Sequence, residues 1–281
     1  LSLHDALPIF FGLLSLLIAA IFIVGQGHYK RMLAYSSVEH MGILALGIGV
    51  GGVAVPGAML HAVCHSLTKC MLFLLSGNIL ARYHTFSSYD VRGMRWTMPI
   101  TGALWMAGFL AVAGSPPFGI FISEFIIFKG MLAADSPLLA AAYLLALAVI
   151  FVGLSVAVLR MVQGNRPTDM PQTVREPLLS VLPPLVLGLA VLTLGLWIPD
   201  WLWNFLRQGA ALIGGLHALD QVGKRCELPA RDGLGKRREL GCLGRNVTRR
   251  QTGSEFTEQL GRPGRHREHT HGVRGRRDTA V

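Results

Sequence analysis

Runs of about twenty apolar residues recur along this chain, and no other feature constrains its fold as strongly. A helix of roughly that length crosses the hydrocarbon layer of a bilayer, because each residue rises about 1.5 Å and every backbone polar group must be satisfied inside the segment. The sequence predicts helices over 10–24, 33–53, 57–81, 138–162 and 178–198, and a sixth from 99 to 132 that is interrupted at Ser115-Pro116-Pro117. Trp201, Trp203 and Phe205 then mark an interfacial aromatic belt, with 201–216 lying along the membrane surface. The fold class expected is an all-α membrane protein of about six transmembrane helices, one of them broken at Pro116-Pro117.

Composition divides the chain into unlike pieces. Residues 1–217 hold 11 Lys/Arg and 8 Asp/Glu, whereas residues 218–281 hold 15 and 8, so most of the net +10 comes from the short piece. Residues 10–217 read as a transmembrane domain. Residues 1–9, LSLHDALPI, resemble a translated sequencing adapter and read as non-native. The basic, low-complexity stretch 218–281 reads as a frame-shifted translation or as a disordered tail. Its aromatic content is a single Phe256 and its acids are interleaved with its bases, which argues against nucleic-acid binding. Four scattered cysteines, Cys64 and Cys70 among them, exclude a disulfide scaffold.

Basic residues alternate between loops. Lys30 and Arg31, then Arg82, Arg92 and Arg95, then Arg160, Arg166 and Arg175 fall in every second connection, while Lys129 alone serves the others. The positive-inside rule puts the first three regions on the cytoplasmic side.

Ionisable side chains within membrane helices are costly and mark functional paths. His61, His65 and Lys69 stand at i, i+4 and i+8. Each step of four turns only about 40° and rises about 6 Å, so the three form a ladder on one helix face. Burial favours the neutral amine of a lysine and an acidic neighbour favours the ammonium, which suits a group that takes and releases a proton. Imidazoles relay protons near neutral pH. Glu39, His40 and Glu124 are the candidate partners on neighbouring segments. Pro116 and Pro117 remove two backbone donors, and bare backbone at membrane depth lines a cavity or lies inside protein. Gly119 and Ser123 follow this break. Rival readings are a metal at the His61/His65 pair, for which the sequence shows no third ligand, and a haem between His40 and His61 or His65. Packing histidines and an ordinary proline kink are the bland alternatives. Neither a CxxC pair nor a phosphate-binding glycine loop occurs, so no cofactor and no metal is expected.

Three ordered motifs, KRMLAYSSVEHMG (30–42), HAVCHSLTKCMLF (61–73) and GSPPFGIFISEF (114–125), resemble the antiporter-like membrane subunits of respiratory complex I and its relatives. The SSVEH and SPPFGIFISEF versions are most similar to the component F branch of hydrogenase-4, in the formate hydrogenlyase group. The resemblance covers about residues 10–215 and corresponds to the C-terminal half of an inverted-repeat fold, the first repeat being missing. It implies a multi-pass subunit in a bacterial or archaeal cytoplasmic membrane. It also implies redox-driven proton pumping, with no redox centre in the chain itself. The partners implied are other membrane subunits of a hydrogenase or complex I-like assembly and, indirectly, soluble hydrogenase and iron–sulfur subunits. Under the resemblance Lys69 is the central relay lysine, His61 and His65 flank it, His40 is a relay position on the preceding helix, and Glu124 is the acidic group beside a broken helix. A subunit of a multi-subunit cation/proton antiporter shares these residues, and a haem-bearing membrane oxidoreductase is the alternative from another class.

Overall fold

The computed structural model describes residues 3–165 and 176–227, the side chains over 6–165 and 176–213. Among the described residues the helices are α1 (Leu3–Ile23), α2 (Tyr29–Val50), α3 (Ala54–Tyr83), α4 (Met94–Thr97), α5 (Pro99–Val112), α6 (Gly119–Ala133), α7 (Pro137–Gln163), α8 (Leu178–Leu196) and α9 (Asp200–Glu227). Five are long and apolar enough to cross a membrane: α1, α2, α3, α7 and α8. At 14 and 15 residues, α5 and α6 reach only a little over 20 Å each, so the two together make the sixth, broken element. Of the basic tail expected over 218–281, residues 218–227 continue α9 and the rest falls beyond the described residues, as do Arg166 and Arg175.

The helices overrun the apolar runs for identifiable reasons. α1 begins at Leu3 and carries Pro8 within it, so 3–9 continue the helix expected from residue 10. α2 starts at Tyr29, not at 33. The Tyr29 hydroxyl donates to the Thr85 carbonyl and its ring meets Trp105 edge-on, which fixes a helical turn upstream of the apolar stretch. It ends at Val50 because Gly51 and Gly52 turn the chain with φ of +76° and +52°. α3 starts at Ala54 with Pro56 in its first turn, where a missing N–H costs no helical bond.

One end of the bundle gathers the basic loops. Ser88 N–H donates to Gly27 O and Tyr29 N–H to Phe86 O, joining the α1–α2 and α3–α4 connections. Lys30 stands over Phe86 and Arg160 over Tyr89. The loops expected on the cytoplasmic side therefore share one side. Glu176, just before α8, accepts from the Ile100 and Thr101 backbone N–H groups and from the Thr101 hydroxyl, capping α5 from a distance. In α9, Leu206 packs with Leu60, Cys64 and Ile120 while Trp201, Phe205 and Leu212 stay exposed.

α8 contains Pro183-Pro184 and remains helical. Pro184 leaves the Ser180 carbonyl without its i+4 donor. Asn78 of α3 replaces it, its Nδ2 donating to Ser180 O at 2.8 Å.

Candidate proton-relay site

The ladder read from the sequence is present: His61 and His65 of α3 stack with their planes 10° apart and ring centroids 6.5 Å apart, one step of four residues. α2 and α6 close around this face. His40 is 4.6 Å from the His65 ring and 5.0 Å from the His61 ring, centroid to centroid. His40 Nδ1 and His61 Nε2 share a 2.9 Å hydrogen bond, and His61 Nδ1 shares another of 2.9 Å with Ser123 Oγ. None of Glu39, His40, His61, His65, Lys69, Ser123 and Glu124 is more than 8% exposed. Seven buried polar side chains on three helices cost too much to be incidental, because unpaired polar groups are unfavourable in a low-dielectric interior.

Lys69 differs in one respect from the simple pairing its sequence suggests. Its Nζ donates to the Leu33 carbonyl at 2.7 Å, while Glu39 acts on it through charge. The ammonium is held by backbone, leaving one Glu39 carboxylate oxygen and the His65 Nδ1 buried without hydrogen-bond partners.

Glu124 is positioned by the break. α5 ends at Val112 and α6 begins at Gly119, with Ser115 N–H donating to Leu110 O and Phe118 N–H to Ser115 O in between. Gly114 adopts φ +60°, and a Cβ there would collide with the Glu124 carboxylate. A glycine thus serves both the backbone turn and the close approach of the acid. A Cβ on Gly119 would press on Cys64 Sγ, and one on Gly195 would overlap the Pro117 carbonyl, so α3 and α8 pack directly against the break. Pro116 frees the Val112 carbonyl of its i+4 donor, and that carbonyl bears on the His40 ring.

A cavity of about 370 Å³ opens at this point, lined by Gly114, Ser115, Pro116, Phe128, Glu124 and Tyr143 among others. The Tyr143 hydroxyl of α7 is buried without a hydrogen-bond partner. Sequence reading gave Tyr143 no role and noted Ser123 only as following the break, since a lone tyrosine or serine in an apolar helix carries no pattern.

The rival readings can be judged on the same geometry. Haem iron held by two imidazoles would have to sit between their nitrogens, but His40 and His61 are in direct hydrogen-bond contact. The His61/His65 pair gains no third ligand, but a different trio does gather: donor atoms of His40, His61 and Glu124 lie within 4.8 Å of one another. An ion seated on the nitrogens that join His40 and His61 would displace their hydrogen bond.

Comparisons with known proteins agree with this architecture. The family model described as NADH:quinone oxidoreductase/Mrp antiporter, TM, matches residues 4–150. A hydrogenase-4 component F homolog from Methylacidiphilum infernorum is 38% identical over 204 residues, covering 72% of this chain and 42% of that protein. An NAD(P)H-quinone oxidoreductase chain 4 of Thermosynechococcus vestitus is 37% identical over 126 residues, or 44% of this chain and 24% of its own. Among solved structures, a chain of the Mrp complex from Dietzia superposes with a TM-score of 0.70 at 20% identity, over 76% of this chain and 48% of that one. A chain of respiratory complex I from Thermus thermophilus gives 0.64 at 26%, over 75% and 44%. The chain spans less than half the length of each of these relatives.

Proposed function

The chain belongs to the NADH:quinone oxidoreductase/Mrp antiporter membrane family, and from that membership we propose that it is part of a proton-translocating subunit of a redox-driven complex, of the hydrogenase-4 or NADH-quinone oxidoreductase type. The complex sits in a bacterial or archaeal cytoplasmic membrane, with further membrane subunits beside this one and soluble hydrogenase or iron–sulfur subunits supplying the energy. Protons pass along Lys69, His65, His40 and His61 to Glu124 at the helix break, with Glu39 as the counter-charge of Lys69. The observation that carries this reading is the buried, nearly continuous polar path across α2, α3 and α6. It has hydrogen bonds of 2.9 Å at its centre and a cavity at its Glu124 end.

A lysine relays protons only if it can lose one. Lys69→Arg, placed in the complete subunit within its assembled complex, keeps the charge on a group that does not deprotonate in proteins. Proton uptake by proteoliposomes should fall at least tenfold while the complex still assembles. Wild-type pumping by this variant would make Lys69 a fixed structural charge and defeat the relay. The likeness to the Mrp chain supports a second reading, a subunit of a cation/proton antiporter, for which transport would follow an imposed sodium gradient without any electron donor.

A further inference from the structure

Three groups, each with one transferable proton, run in line from the Ile120 carbonyl. Ser123 Oγ donates to Ile120 O at 2.7 Å. A carbonyl only accepts, so the single hydroxyl proton is committed there. In the 2.9 Å contact between Ser123 Oγ and His61 Nδ1 the imidazole must then donate. A neutral imidazole carries one proton, which leaves His61 Nε2 bare. Its 2.9 Å partner, His40 Nδ1, must donate in turn, and His40 Nε2 is left bare. That atom is buried without a hydrogen-bond partner, as is Nδ1 of the adjacent His65.

We propose that Ser123 is a positioning residue that fixes the tautomers of His61 and His40 and so gives the pair a direction, open to an incoming proton only at His40 Nε2. This rests on the relay reading above and refines it. Ile120–Ser123, Ser123–His61 and His61–His40 are three hydrogen bonds that use the three protons of the neutral chain, and the Ser123–Ile120 bond leaves the bare nitrogen at His40 Nε2. A proton arriving from the His65 side binds His40 Nε2. The Nδ1 proton of His40 then passes to His61 Nε2, and the Nδ1 proton of His61 passes to Ser123 Oγ. The original hydroxyl proton leaves Ile120 O for a carboxylate oxygen of Glu124, which lies within 4.8 Å of ligand atoms of both histidines. One proton enters and one leaves. Both rings finish with the proton on Nε2, and their return with the Ser123 hydroxyl to the starting arrangement resets the path.

The tautomers are directly measurable in the full chain. With nitrogen-15 histidine in lipid bilayers, solid-state NMR should show His61 and His40 as neutral Nδ1–H imidazoles, each assigned by the signals lost in His61→Gln and His40→Gln. Ser123→Ala should move His61 toward the Nε2–H form, and Ser123→Thr, which keeps a hydroxyl, should restore Nδ1–H. An Nε2–H His61 in the unaltered chain overturns the proposal, and this single spectrum decides the matter if Ser123→Ala does not fold. Unchanged tautomers in a folded Ser123→Ala chain overturn it equally. Neither result depends on pumping, so a failed relay and a failed tautomer assignment are distinguishable.

Discussion

Two proline pairs sit at membrane depth in this protein, with opposite outcomes. Pro183-Pro184 lies inside a continuous α8, whereas Pro116-Pro117 lies in the gap between α5 and α6. Each pair removes two donors, but only at α8 is a freed carbonyl seen to be met by a side chain of another helix, Ser180 O by Asn78; at the break His40 stands beside the freed Val112 carbonyl with its Nε2 unpaired. The amide of Asn78 is a permanent donor and its role is structural. The imidazole of His40 donates or accepts according to its protonation, which is what the proposed relay requires of it. Prolines alone therefore do not make a broken helix; the partner's chemistry and the left-handed Gly114 decide what the pair becomes.

That contrast can be pressed hardest at His40. His40→Asn installs at the break the kind of fixed donor found at α8. Proton pumping by the complete complex should fall at least a hundredfold, while thermal stability of the purified protein changes by no more than about 1 kcal/mol, the usual scale of one interhelical hydrogen bond. Pumping near wild type would mean that His40 is a structural residue only.

Gly114→Ala tests the break itself. The new Cβ meets the mobile end of Glu124, so the carboxylate should move before the backbone does. Pumping is expected to fall roughly tenfold, and the left-handed backbone of a non-glycine residue adds a cost of about 1–2 kcal/mol. Pairing it with Glu124→Asp, which withdraws the carboxylate by one methylene, should recover part of the stability but not the rate.

At α8 the effects are smaller and confined to stability. Asn78→Leu should lower unfolding free energy in detergent by about 1 kcal/mol and leave pumping intact, because only the Ser180 carbonyl loses a donor. In a Pro184→Ala background the backbone supplies that donor again, and the cost of Asn78→Leu should shrink by at least half, to a few tenths of a kcal/mol, in a double-mutant cycle. An undiminished cost would show that Asn78 acts through some other contact.

Sequence alone determined the membrane-spanning architecture, the break at Pro116-Pro117, and the shared face of His61, His65 and Lys69. These follow from hydropathy and from the 3.6-residue turn, both local properties of the chain. The motifs also brought Glu39, His40 and Glu124 into the same list. Local rules placed the break at Pro116-Pro117 and an unbroken helix across Pro183-Pro184, but not the Asn78 side chain that meets the Ser180 carbonyl, because it comes from another helix. Nor could they say that Lys69 would hold the Leu33 carbonyl, that His40 would pair with His61 and only pack at a tilt against His65, or that Ser123 and Tyr143 would border the polar cluster. Each of those choices is made where helices meet, by side chains whose partners are distant in sequence and whose pairing is forced by the cost of leaving a buried polar atom unmatched.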